Sequence, residues 1–478
     1  MDTLAQLESF SNDLAIAVKD LATHSQIAST QYDLNGAPRA NSALDAFTTT
    51  NEEVELATTR ILSSATKIRA LVQGPTEFLK QLATQGEILA CIRWFGEFQI
   101  LACIPLGRSA LITDVAELSS VPEGLLSRIV RLTATVGFLS EPQPGHVAHT
   151  SLSGSFVSDP SFLDAGMFLA ESAMPAALKM ATATQKFAGS DSPTETAWNI
   201  HAALDQPFHV VRGEKPKLNR QHSSYLRHAA GVHTDEEVVA LLSKLNWSRL
   251  WNPSMVEVGA QSMKLAQCLA NLHPGLKIVV QIKKTPSSTA SSTAIATLLT
   301  DRHLLGLANG DAETTPPATT TTTTTVSGRI TVMTYTVDAP QSVANAAVYI
   351  LHLPPSRNLL QAQIKEYMEV LRASSGVMIL LTFRLLPEPG TRSADGCDPD
   401  TESVARGRDL SMLQLANESE MEMAEVLDVV DLARDGLGKL LVTDRVRSRK
   451  GLVVALVVKH QAYVNASQVL GSLSPDMF

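Results

Sequence analysis

The segment Met255–Ile282, reading MVEVGAQSMKLAQCLANLHPGLKIVVQI, constrains this chain more than any other. A short apolar strand (Met255–Val258) runs into Gly259. An amphipathic helix follows (Met263–Leu272), then a second strand (Leu276–Gln281). Strand, turn, helix, strand is the opening unit of a doubly wound sheet. In such sheets the first turn approaches a nucleotide-derived cofactor. Glycines there let the backbone come close and adopt conformations barred to residues with a Cβ. Here the turn is Gly259-Ala260-Gln261-Ser262-Met263, with one glycine, and Gln261 and Met263 put bulk where ligand would lie. The second strand of such a site ends in a carboxylate for the ribose hydroxyls. This one ends Val280-Gln281-Ile282, and Ile282 cannot serve. The outline of a cofactor site is present, and most of its chemistry is gone.

From residue 252 onward the pattern alternates strand and helix, as in an α/β sheet, with strands expected at 255–258, 276–281, 329–335, 346–351, 377–383, 438–443 and 452–458. Between the second and third lies a Thr/Ser/Pro-rich stretch, 286–326, that includes Thr319–Thr325. Such composition buries too little apolar surface to order itself, so a disordered surface insertion is expected. The first 75 residues carry two helical stripes, Leu4–Leu21 and Val54–Leu71, and read as a helical arm that packs on a second copy. Residues 76–155 read as a winged helix used for dimerisation. Its helices are expected at Ile92–Ile104, at Ala110–Leu118 capped by Ser109, and at Pro122–Val136 closed by Gly137, before a hairpin at 138–150. Residues 156–478 are grouped as the Rossmann-like α/β domain, its first part helical.

The 478 residues carry a net charge of −9, which disfavours binding nucleic acid by global electrostatics. The last helix of the winged unit offers only Arg128 and Arg131, a thin phosphate footprint but a candidate partner surface. Four cysteines without metal-ligand spacing indicate reduced thiols and no metal site. The N-terminus lacks a signal-peptide pattern, and no run of about 18 uncharged apolar residues suggests a membrane span. The run Arg445–Lys450 reads either as a solvated hairpin turn or as a nuclear import patch.

From Leu89 onward the order of these pieces resembles the plant- and fungal-type O-methyltransferases. The stretch ITDVAELSSVPEGLLSRIVRLTATVGFLSEPQPGHVAHTSLSGSFVSDP carries the resemblance, with RITVMTYTVDAPQSV, YILHLPPSRN, LLPEPG and DLSMLQLAN. Within that group the chain is similar to the methyltransferase-like transcriptional coactivators of fungal polyketide clusters. The resemblance implies an S-adenosylmethionine fold and a histidine base followed by Asp-Trp. Here His352 holds the base position, but Leu353-Pro354 follow it. Phe383 stands for an acid, and Tyr335-Thr336 for a His-Asp pair near the cofactor. Glu420 matches a conserved glutamate whose arginine has become Met421. Glu257 and Gly259 are what remains at the cofactor turn.

The expectation is a catalytically inactive methyltransferase fold that binds no S-adenosylmethionine. It acts as a homodimeric coactivator in nucleus and cytoplasm, with a zinc-cluster transcription factor as the implied partner. The alternative is an active S-adenosylmethionine-dependent O-methyltransferase on a polyketide phenol, with His352 as base. Direct DNA binding through the winged helix is a third, weaker reading.

Overall fold

The computed structural model describes residues 3–30, 43–231, 235–247, 250, 253–260, 262–283, 323–335, 341–343, 345–352, 357–373, 378–384, 386, 399–448 and 453–463. The chain divides into two compact units: residues 1–232 with 397–417, and residues 233–396 with 418–478.

The first unit opens with two long helices, α1 (Thr3–Thr30) and α2 (Ala43–Val72), packed on each other through Ala17 and Ala57. Helix α3 (Pro75–Glu97) follows, started by a proline at its first turn. The sequence suggests one helix over Ile92–Ile104. The structure ends α3 at Glu97 because Gln99 takes a left-handed φ of 53°, which a right-handed helix cannot continue, and a short α4 (Ile100–Cys103) restarts beyond it.

Next come β1 (Ala110–Leu111), α5 (Ile112–Ser119), α6 (Glu123–Ala134), β2 (Leu139–Ser140) and β3 (His146–His149). The three strands form a small sheet in the order β1-β3-β2. Strand β1 is too short to show alternation in the sequence. Its presence moves the helix start to Ile112, so Ser109 does not cap α5. Gly137 ends α6 at a φ of 71°, as a C-terminal glycine should. Phe95, Ile112, Val115, Leu126, Val130 and Val147 fill the core of this subunit of structure, and Phe95 stacks on Phe138 with centroids 5.9 Å apart.

Helices between Ser151 and His228 complete the first unit, together with the helix Pro399–Ala416, which returns from far along the chain. The boundary read after residue 155 therefore falls inside this unit. The reason is a shared aromatic core, in which Phe168, Trp198, Phe208, Tyr225 and Leu415 pack together. Arg408, on the returning helix, is fully buried and donates to the carbonyls of Ala230 (2.8 Å) and Gly231 (3.1 Å).

The second unit is an eight-stranded sheet in the order β10-β11-β9-β8-β4-β5-β7-β6. Its strands are β4 (Ser254–Val258), β5 (Lys277–Lys283), β6 (Thr323–Ser327), β7 (Ile330–Tyr335), β8 (Val348–His352), β9 (Met378–Arg384), β10 (Gly438–Arg447) and β11 (Val453–Ala462). Strands β4, β5, β7, β8 and β9 run parallel, and β6, β10 and β11 pair antiparallel at the edges. Both faces are covered, which is why the central strands are apolar throughout rather than alternating. On one face Leu241, Leu265 and Leu269 pack on Met255 and Ile278. On the other, Leu360, Ile364 and Val426 pack on Val256 and Tyr349.

One expectation fails here. Thr323–Val326, placed by composition in a disordered insertion, belongs to β6 and pairs with β7. Threonine is β-branched and suits a strand where a neighbouring edge offers a ladder. Residues 286–322 of that stretch lie outside the described residues. No described helix is long and apolar enough to cross a membrane.

Candidate functional site

The C-terminal ends of β4, β5, β7 and β8 form the edge where ligands bind in sheets of this type. Glu257 is the penultimate residue of β4. Strand alternation turns it to the same face as Met255, and it is 2% exposed. His352 ends β8, and its Nε2 lies 3.1 Å from Glu257 Oε1, the imidazole donating. The second carboxylate oxygen of Glu257 is buried and has no hydrogen-bond partner among the described residues. The two residues that the sequence reads separately, as a cofactor acid and a base, thus form one pair.

After β4 the chain turns through Gly259 at a φ of 76°, a conformation L side chains rarely adopt. The amides of Gly259 and Ala260 both donate to the carbonyl of Gln281, at 3.0 and 3.1 Å. The Tyr335 hydroxyl lies over this turn, 3.4 Å from where a Cβ on Gly259 would stand. Burial, and then the nearby Glu366 carboxylate, raise the Tyr335 phenol above its usual pKa. Burial raises Glu366 too.

Met263 closes the turn, but its side chain does not occupy the place where ligand would lie. It precedes the helix Lys264–Leu272, is almost fully buried, and packs in the core against that helix's apolar face. Ile282 likewise points into the core. Gln261, Leu353, Pro354 and Thr336 lie outside the described residues. Glu420 sits half-buried in the short loop before the helix Met423–Leu432, and its neighbour Met421 is a core residue. Phe383 falls on β9, opposite Val454 of β11.

The polar residue that matters at the end of β5 is Gln281, which the sequence reading passed over. It is completely buried and exchanges two amide hydrogen bonds with Gln341, at 2.6 and 3.0 Å. Gln341 also donates to the Tyr367 hydroxyl at 2.6 Å. The one available signal was a glutamine inside the apolar run of 278–282. Such a residue must find a partner when both faces of its strand are covered. Gln341, beyond the strand, carried no signal.

Among the described residues no carboxylate stands at the end of β5, the Gly259 and Ala260 amides are bonded within the chain, and the Tyr335 hydroxyl lies over Gly259, an arrangement that lacks the groups by which such sheets hold a nucleoside cofactor. Among the described residues no cluster of metal-ligating side chains occurs.

In the first unit, Arg131 on α6 is not a free cation. Its guanidinium makes a two-pronged contact with Glu141, at 3.0 and 3.2 Å, and Glu141 also accepts from the Gly145 amide. The pair fastens α6 to the β2–β3 turn. Arg128 is exposed and has no ion pair among the described residues.

Residues 4–73, which contain all of α2 and all but the first residue of α1, match the model of the trypacidin cluster transcriptional coactivator tpcD N-terminal domain. Over 97% of its length the chain is 42% identical to the notoamide biosynthesis cluster transcriptional coactivator notR of an Aspergillus species, covering 99% of that protein. It is 39% identical to the monodictyphenone cluster transcriptional coactivator mdpA of Emericella nidulans, covering 97% of this chain and 99% of that one. Among solved structures it is similar to OxaC in complex with SAH and oxaline (13% identity, TM-score 0.56, 95% of this chain and all of that one). It is also similar to the mitomycin 7-O-methyltransferase MmcR (16%, TM-score 0.56, 81% and 98%). The fold is that of these two solved structures, and by full-length identity the chain belongs to the family of fungal biosynthetic-cluster transcriptional coactivators.

Proposed function

We propose that this chain is a transcriptional coactivator of a secondary-metabolite gene cluster, built on a methyltransferase fold that no longer transfers methyl groups. The observation that carries this is the sheet edge, where Tyr335 and the Gln281–Gln341 pair stand in place of the ribose carboxylate and open turn. Full-length identity to named coactivators supports it. The implied partner is a DNA-binding zinc-cluster factor, met in the nucleus and reached through the cytoplasm. Contact with DNA itself is not expected, given the net charge of −9 and the engagement of Arg131 by Glu141.

We further propose a homodimer formed through the first unit, winged helix included. Leu4, Ile16, Val18 and Leu62 of the α1–α2 pair are exposed, as are Phe78, Leu79 and Leu82 on α3. Stripes of this size on helices ordinarily meet another apolar surface.

A second reading, an O-methyltransferase acting on a polyketide phenol, is favoured by one observation only. His352 keeps a carboxylate partner, as a general base requires.

Calorimetric titration with S-adenosylmethionine decides between the two. The expected dissociation constant is weaker than about 1 mM, roughly −4 kcal/mol. Micromolar binding would restore the enzyme reading. Sedimentation of the same sample should give twice the monomer mass of 51.3 kDa, and a clean monomer would refute the dimer.

A further inference from the structure

We propose that the groove between α5 and the loop preceding β1 is a docking site for a basic amphipathic helix of a partner protein. The proposal rests on the coactivator reading, which requires a protein partner but does not say where it docks. The groove has a volume of about 460 Å³ and is lined by Cys103, Pro105, Leu111, Val115 and Leu118, with Arg108, Asp114 and His146 among its polar members. Val115 and Leu118 lie three residues apart on one side of α5, and Leu111, the last residue of β1, stands just before the helix and lines the same groove. Val115 is buried in the core, while Leu111 and Leu118 are 44% and 70% exposed. Single exposed leucines are ordinary. Two of them flanking a concavity of this size make the kind of groove into which an amphipathic helix sets its anchors.

Charge selects the occupant. Asp114 and Glu117 lie three residues apart on α5, so they share a flank. Both are exposed, and neither has an ion pair among the described residues. Cations of an incoming helix would lie along that flank. Arg108, also exposed and unpaired, stands off α5 and fits an acidic residue at one end of the same helix, giving it a direction. His146 is turned toward the Pro144 carbonyl, 3.5 Å away, and adds little. A second copy of this chain is a poorer fit. A two-fold contact would bring the α5 carboxylates against themselves, and like charges across an interface are costly. Phosphate-bearing partners are disfavoured by the same carboxylates.

The test uses full-length protein and two labelled synthetic helices at physiological ionic strength, with anisotropy as the readout. Both peptides carry leucines at i, i+3, i+4 and i+7, one with lysine and one with glutamate on the remaining face. The lysine peptide should bind in preference. Leu118→Asp, at a site already exposed to water, should weaken it about tenfold or more, a change of ~1.4 kcal/mol. Asp114→Lys with Glu117→Lys should transfer the preference to the glutamate peptide. Circular dichroism checks that each variant folds. Equal affinity for both peptides, or affinities unchanged in the variants, would overturn the proposal. So would a drop in sedimenting mass for Leu118→Asp, which would mean that a second copy covers the groove. If the variants leave both peptide binding and cluster transcription intact, the groove is wrong and the coactivator reading stands.

Discussion

The two units treat polar and apolar groups in opposite ways. In the second unit the sheet edge that serves ligands in related folds carries side chains paired with one another. Gln281, Gln341 and Tyr367 satisfy one another in a neutral network. In the first unit leucines stand open to water around a groove, and the interior holds a histidine beside a cation. His222 is buried among Phe168, Phe208 and Tyr225, and its Nδ1 accepts from Arg212 at 3.0 Å. Burial, and then the Arg212 charge, push its pKa down to about 4. On the reading proposed above, the contrast is between an interior that has refilled and a surface that has stayed apolar. A vacated interior must refill, because unpartnered buried polar groups are expensive. A surface kept apolar despite exposure has a use outside the chain.

Acid gives the largest expected separation of the units. The ordinary histidine pKa is about 6.5, so between that value and about 4 the unfolded chain binds a proton at His222 that the folded chain does not. Stability of the first unit therefore falls as pH falls across this window, by up to about 3 kcal/mol at pH 4. Lowered carboxyls at Glu141 and Asp159 act in the same direction at still lower pH. In the second unit Glu366 acts the other way. Its raised pKa means that its burial penalty is relieved as pH falls. Thermal melts at pH 7 and pH 4.5 should show the first unit melting earlier at the lower pH, and His222→Asn should reduce that shift by keeping an acceptor for Arg212 without a titrating ring. Melts that move together in wild type and variant would break the comparison.

Closure of the sheet edge is tested next. Gln281→Leu removes one member of the amide pair and leaves Gln341 short of a partner in a buried place. The expected cost is about 2 kcal/mol, a fall of several degrees in Tm. Leu118→Asp, the groove variant, should move Tm by no more than about 0.5 kcal/mol worth, because its side chain already faces water. If Gln281→Leu were neutral, the edge would be loosely filled and the case for a closed pocket would weaken.

How much of this was legible in the sequence follows the same division. Strand and helix periodicity located the sheet, because apolar runs covered on both faces leave a strong local signal. Two-residue β1 left none. Helix α3 stops at Glu97 because of the left-handed backbone at Gln99, which composition does not encode. The Thr tract showed the limit of reading composition alone: Thr323–Val326 joins a sheet because β7 offers an edge, which is a tertiary fact. At the site, absent glycines and the missing carboxylate were plain. What replaced them was not, since Gln281 and Gln341 are 60 positions apart and meet only in the fold. Arg131 looked like a surface cation until Glu141, ten residues on, was brought against it.

On cluster transcription the smallest expected effect belongs to His352. If the sheet edge is closed and the first unit carries the partner contact, His352→Ala should leave cluster transcription unchanged. It should not be silent for stability. Glu257 would then be a buried carboxylate with neither oxygen bonded by His352. Because the His352 side chain is 36% exposed, water can replace part of what it provides, and the loss should stay near about 1 kcal/mol. A reporter for cluster transcription, product analysis and a thermal melt on the same variant separate the possibilities. Normal transcripts and normal product with a slightly lower Tm is the expected result. Normal transcripts with the pathway product abolished would mean that His352 performs chemistry, and the two units would then have to be read as an enzyme and its dimerisation module.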